Sequence, residues 1–333
     1  MTPSRRTLAL SLAGLAALAV SSLAAGRFGA HVSPALDVLV DANRLWLAVA
    51  VAGFLAAFAC SVGAWRAALG AAGGRICPRQ AAARLAVGSL VNAFAPAKLG
   101  DAVKIALCSR AIDGPGRVWT TGGAYAGLAA VRSLTLACLV VAASATHAMP
   151  LWPVFALAGG AAAFAAAAAA SSRCRRHARV ARFLDGAAML ARRPRALAAV
   201  AAWSVGMQIG RVAGAVAAAV AFGLPHPLLA ALVILPALDV AGAVPLTPGS
   251  IGVGSGAVAV ALASRGIGMT QALAVGLSIQ GVETIVSVGC GTVGAAYLVQ
   301  PGERARLLAV RVALVAASAA VAAVVGAGVL DLL

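Results

Sequence analysis

Apolar runs long enough to cross a bilayer recur along this chain from Thr7 almost to Leu333, with only short connections between them. A helix needs about 20 apolar residues to span the hydrocarbon core, and in lipid each backbone polar group must be satisfied within the helix or bundle. Hydrophobic residues make up 62% of the 333 and charged residues 11%, against about 25% charged in a soluble domain. Mean hydropathy is +0.98. The chain is therefore expected to form one all-α, polytopic membrane domain covering 1–333.

Full spans are expected at 7–26, 46–71, 118–146, 151–171, 197–222, 270–299 and 307–330, about seven crossings. Two further apolar stretches, 81–107 and 228–264, are interrupted by proline and glycine and are expected to be re-entrant. Ser4 to Leu8 resemble a twin-arginine export signal. The apolar run behind them exceeds the roughly 7–15 residues of a signal core, so a retained first helix is expected.

The formal charge of +17 would suggest nucleic acid in a soluble protein. Here the basic residues sit in short loops between apolar runs, which is the pattern that orients membrane proteins. With the N-terminus in the cytoplasm, only Arg27, Arg44 and Arg265 fall outside, while Arg132 and Arg211 fall within spans. Treating either broken stretch as a full crossing would put a basic loop outside, which is the main argument for re-entrance. The longest polar stretch, 172–196, is expected to be a basic cytoplasmic loop, either solvated or lying on anionic headgroups. An arginine- and alanine-rich composition points to a bacterial inner membrane, and no nucleic-acid partner is expected.

Cysteines and histidines are scattered without ligand spacing, so no metal, cofactor or disulfide framework is implied. No serine–histidine, paired-aspartate or other catalytic constellation lies in the spans, and enzymatic activity is not expected. Gly252-Val253-Gly254-Ser255-Gly256-Ala257 fits a dinucleotide fingerprint, but it lacks the surrounding βαβ unit and the acidic residue that should follow.

The broken stretches hold the candidate headgroup-binding residues. In the first, Pro96 fits the start of a new half-helix, which places Lys98, Asp101 and Lys104 on one side and creates a cationic face, with Asn92 just before the break. In the second, Thr247 and Pro248 read as an N-cap and first helical residue, followed by Gly249, Ser250 and Gly252. A half-helix beginning there would aim free backbone N–H groups at an anion. Broken helices entering from opposite sides also fit an inverted-repeat arrangement. The alternative is that the breaks only allow close packing.

At these segments the sequence resembles the lysylphosphatidylglycerol synthase transmembrane-domain family of flippase-like integral membrane proteins. The match rests on Gly88, Asn92, Pro96, Gly100 and Asp101, and on Pro245, Pro248, Gly249, Ile251, Gly252 and Val253. The resemblance implies a protein that moves or handles membrane lipids. Because the chain ends soon after its last apolar run, it implies the stand-alone form without an aminoacyltransferase domain. Two positions depart from the family pattern: Ser255 stands where a glutamate is usual, and Val131 where an acidic residue commonly precedes the arginine matched by Arg132.

Arg132, Arg211, Asp239 and Glu283 fall within apolar segments, where each costs about 2.5–3.5 kcal/mol on insertion scales. Mutual pairing is expected. Gln208 with Arg211, and Gln280 with Glu283, share helix faces. These residues are candidates either for a polar groove through which a headgroup passes or for a closed structural network. The expected function is lipid flipping or lipid handling, with an anionic or phosphate-bearing headgroup between the two broken helices. A secondary transporter of a small polar solute and a non-catalytic membrane scaffold are the alternatives.

Overall fold

A computed structural model describes residues 33–95, 99–145, 178–243 and 252–299. Among these residues all regular secondary structure is helical, with no strand. The labelled helices are α1 (Arg44–Ala71), α2 (Pro78–Phe94), α3 (Leu99–Cys108), α4 (Arg117–Ala145), α5 (Ala178–Ala191), α6 (Pro194–Ala221), α7 (Pro227–Ala243), α8 (Val253–Ala263) and α9 (Met269–Leu298). A 3-10 turn, Ser109–Ala111, closes α3. Among the described residues four helices, α1, α4, α6 and α9, are long and apolar enough to cross a membrane. They coincide with four expected spans to within a few residues. The spans expected at 7–26, 151–171 and 307–330 lie outside the described residues.

Local chemistry sets the helix ends. Asn43 caps α1, its side chain accepting from the backbone N–H of Leu45 at 3.0 Å and of Trp46 at 3.4 Å. Pro78 and Pro194 open α2 and α6 at a position where a missing N–H costs nothing. α1 and α6 stop in the same way. Gly73 and Gly223 adopt φ of +86° and +64°. The next residue then reaches back five positions, Gly74 N–H to the Leu69 carbonyl at 2.8 Å and Leu224 N–H to Ala219 at 3.0 Å. Each is a left-handed cap that only glycine adopts without strain.

That shared ending belongs to a larger repetition. α1 and α6 each have 28 residues, α2 and α7 each 17, α3 and α8 have 10 and 11, and α4 and α9 have 29 and 30. The chain thus contains two copies of one unit: a long helix, a pair of short helices, and a second long helix. The two leading helices pack antiparallel through an isologous face. Gly53 meets Gly210 and Gly214, Gly206 meets Cys60, and Gly63 meets Trp203. Glycines here let two backbones approach closely, as is common between membrane helices. An antiparallel contact between equivalent helices makes this an inverted repeat.

Within each unit the short helices form a folded-back pair. Asn92 and Gly88 of α2 lie against Gly100 and Lys104 of α3, and Leu238 of α7 lies against Gly254 of α8. These helices, of 10 to 17 residues, fall short of the roughly 20 that a crossing needs. α9 packs along α2, with Gly291 and Gly294 against Ala83, Ala86 and Leu90. Two apolar cores follow the repeat, one around Trp65, Leu85 and Leu128, the other around Ile234, Leu262 and Ile279.

One expectation needs correction. The stretch read as a basic loop over 172–196 contains α5 and the start of α6. α5 sets Phe183, Gly186, Ala187 and Leu190 against Gly123 and Gly127 of α4. Its apolar residues recur at helical spacing, and burying them outweighs the cost of the flanking arginines. The helix start expected at Thr247 and Pro248 lies outside the described residues. The described helix α8 begins at Val253, preceded by Gly252 at φ +85°, a conformation that favours glycine.

Candidate functional site

The first folded-back pair gathers its polar groups on Asp101. One carboxylate oxygen accepts from Asn92 Nδ2 at 3.0 Å and from Lys104 Nζ at 2.9 Å, and the other accepts from the Tyr125 hydroxyl at 2.9 Å. Gly100 makes this possible, because a Cβ there would collide with the Gly88 carbonyl and the Asn92 side chain. Gly88 in turn leaves the path along which the Lys104 stem runs. Lys104 is therefore an ion-pair partner of Asp101, and the cationic face expected from spacing is largely neutralised at this residue. Tyr125 is fixed from behind by Trp65, stacked at 5.2 Å between ring centroids.

Two turns along α4 from Tyr125, on the same face, stands Arg132. Its Nη2 donates to Ser61 Oγ of α1 at 2.6 Å. Its Nε is buried without a hydrogen-bond partner. The expected pairing of Arg132 with an intramembrane carboxylate is thus replaced by a hydroxyl contact. Arg132 stands within electrostatic range of Asp101 in the first half and of Arg211 in the second.

In the second half, Arg211 of α6 grips Asp239 of α7 through two bonds of 2.9 and 2.8 Å. This fork-to-fork geometry is the strongest form of such a pair. Gln208 accepts from Arg211 at 3.4 Å, as their spacing predicts. Glu283 of α9 is close enough to feel Arg211 and Asp239, but no hydrogen bond to it is formed among the described residues. Gln280 lies over Gly254, where it would meet any added Cβ. Ser255 turns its hydroxyl back to the Gly252 carbonyl at 3.2 Å.

Of the candidate headgroup-binding residues, Asn92, Asp101 and Lys104 come together, and Gly252 caps α8. Lys98, Thr247, Gly249 and Ser250 lie outside the described residues. The intramembrane group Arg132, Gln208, Arg211, Asp239 and Glu283 forms one electrostatically linked seam. Sequence reasoning missed Ser61, Tyr125 and Trp65. For Tyr125 a signal existed, since it is one of two tyrosines in the chain and shares a helix face with Arg132. Among the described residues no group of His, Cys, Asp and Glu could hold a metal ion.

An inverted pair of helical units, four membrane-length helices and a polar seam between the units define a multi-pass membrane protein. The family model described as the lysylphosphatidylglycerol synthase TM region matches residues 12–291, and the chain belongs to that family. The fold and the family together make it a lipid-related membrane protein. No curated protein matches the chain.

Proposed function

We propose that this protein binds an anionic or phosphate-bearing lipid headgroup at the seam between its two folded-back pairs and moves the lipid across the membrane. The observation that carries this reading is Arg132. A guanidinium midway along a membrane-length helix, bonded to one hydroxyl and with Nε unpartnered, is costly in hydrocarbon unless something else neutralises it. A phosphate oxygen is a natural acceptor for a guanidinium.

In this reading both folded-back pairs are re-entrant. Arg75 just before the first pair, Arg79 in its first turn, and Arg110 and Arg117 after it lie on one side, the cytoplasmic side of a bacterial inner membrane. The exposed Cys77 in that basic connection should then react with an impermeant thiol reagent in inside-out vesicles and not in intact cells. The protein acts by binding and not by covalent chemistry. Given aminoacyl-tRNA and phosphatidylglycerol, the purified chain should form no aminoacyl lipid.

The deciding measurement is transbilayer movement of fluorescent phosphatidylglycerol in proteoliposomes, followed by quenching of the outer leaflet. Arg132→Gln should slow movement about tenfold or more, a loss on the scale of one charge-assisted hydrogen bond. Unchanged movement in a folded Arg132→Gln protein, or no movement above protein-free liposomes in the wild type, would overturn the proposal.

A further inference from the structure

Away from the polar seam, a groove of about 570 Å³ opens sideways between α1, α2 and α9. Its walls are almost wholly apolar, formed by residues such as Leu55, Phe58, Ala86, Ile285 and Val293. Its size falls within the roughly 300–1,000 Å³ of small-molecule sites. Several wall residues are turned outward, Val293 being 71% exposed and Ile285 58%, so the groove faces the surroundings of the bundle and not its interior.

One end of the groove is chemically different. Because α2 and α9 run antiparallel, with Ala83 beside Gly294 and Leu90 beside Gly291, the first turn of α2 meets the last turn of α9. Arg79 and Tyr297 line the groove there. Arg79 is exposed and makes no hydrogen bond or ion pair with another described residue. Arginine and tyrosine at one end of membrane helices mark the level of the headgroups. A hydrocarbon channel ending in a cation with no ion-pair partner among the described residues matches one amphiphile: an acyl chain carrying an anionic phosphate.

We propose that this groove is a lipid site that takes one acyl chain of an anionic phospholipid, with the phosphate at Arg79 and Tyr297. The inference rests on the reading of the chain as a lipid-handling protein, and adds where the tail is held.

The test uses the full-length chain in nanodiscs of phosphatidylglycerol and phosphatidylcholine, with a trace of phosphatidylglycerol bearing a diazirine in its acyl chain. After irradiation, adducts are mapped by peptide mass spectrometry. They should concentrate on the peptides holding Leu55, Ile285 and Val293. Labelling there should exceed that at Leu134 and Ile209, which are 64% and 63% exposed but outside the groove.

Gly289 lines the groove and has nothing within 4 Å of where its Cβ would stand. Gly289→Phe can therefore fill the channel without moving the backbone, and should cut groove labelling about fivefold. Arg79→Gln should keep labelling by an otherwise identical phosphatidylcholine probe while abolishing the preference for phosphatidylglycerol. Equal labelling at Leu134 and Ile209, or no change in a folded Gly289→Phe protein, would overturn the inference.

Lipid movement measured on the same preparations separates this inference from the proposed function. Background labelling of the groove with movement intact sinks the groove alone, whereas groove labelling without movement sinks only the transport reading. Background labelling in which Gly289→Cys cross-links to 307–330 would give the groove to the chain's own last apolar run.

Discussion

The two halves of the molecule share one skeleton and differ in where they carry charge. Asp101 is the third residue of α3, and the third residue of α8 is Ser255. The first is a hub for three side chains, while the second only bonds its own turn. Ser61 and Arg211 likewise occupy the same position, the eighteenth, of α1 and α6. The serine accepts from a guanidinium in α4, while the arginine supplies one to α7. Backbone repetition thus sets the places, and a few substitutions turn one half into a carboxylate hub and the other into a salt-bridge tie. Ser255 also stands where the family usually has glutamate. Its backbone is packed against Gly276, and its own side chain is nearly inaccessible.

If the second half is held by its ion pair, the largest effect should come from Arg211→Met. It leaves Asp239 without its partner in a low-dielectric site, and stripping one member from a buried pair costs about 3–5 kcal/mol. Thermal unfolding in detergent should show the loss, and Arg211→Met with Asp239→Leu should recover much of it. A single variant as stable as the wild type would mean that the tie is not structural, and the contrast between the halves would collapse.

The first half should depend more on backbone approach. Gly100→Ala pushes a methyl group into the Gly88 carbonyl and Asn92, so overpacking should cost about 1–3 kcal/mol. Gly281→Ala is the matched control, with nothing within 4 Å of the added Cβ, and should be neutral or stabilising by up to about 1 kcal/mol. Equal behaviour of the two variants would show that the close pairing of α2 and α3 contributes nothing.

Tyr125→Phe should act more mildly. It removes one hydrogen bond to Asp101 while keeping the ring stacked on Trp65. A loss of about 1 kcal/mol is expected, because Asn92 and Lys104 still hold the carboxylate. Lipid movement should fall further than stability does if Asp101 serves the headgroup path. A proportional fall in both would make the hub structural.

Much of this skeleton was legible in the chain, because span length and the interruption of an apolar run by proline and glycine are one-dimensional properties. Gln208 beside Arg211 was legible for the same reason, since three residues on a helix always share a face. Ser61 with Arg132 and Tyr125 with Asp101 were not, since each depends on which faces of distant helices meet. α5 was hidden differently. Its apolar positions carry helical spacing, but arginines on both sides drew the reading toward a solvated loop. The pairing of Arg211 with Asp239 was expected only as one of several possible pairings, and only packing selects among them.

The smallest expected effect sharpens the comparison most. Glu283 shares the field of Arg211 and Asp239, but the bidentate pair already satisfies both of those groups, and no hydrogen bond to Glu283 is formed among the described residues. Glu283→Gln removes one negative charge beside a self-neutralising pair. It should therefore change stability by no more than about 0.5 kcal/mol, the range of substitutions that disrupt no specific contact. A loss comparable with that of Arg211→Met would instead make Glu283 a third member of the tie, and the second half a closed triad. If stability holds and lipid movement falls, the carboxylate serves transport. The two halves would then divide the work, with Asp101 organising one end of the seam and Glu283 acting at the other while Arg211 and Asp239 hold the helices that frame it.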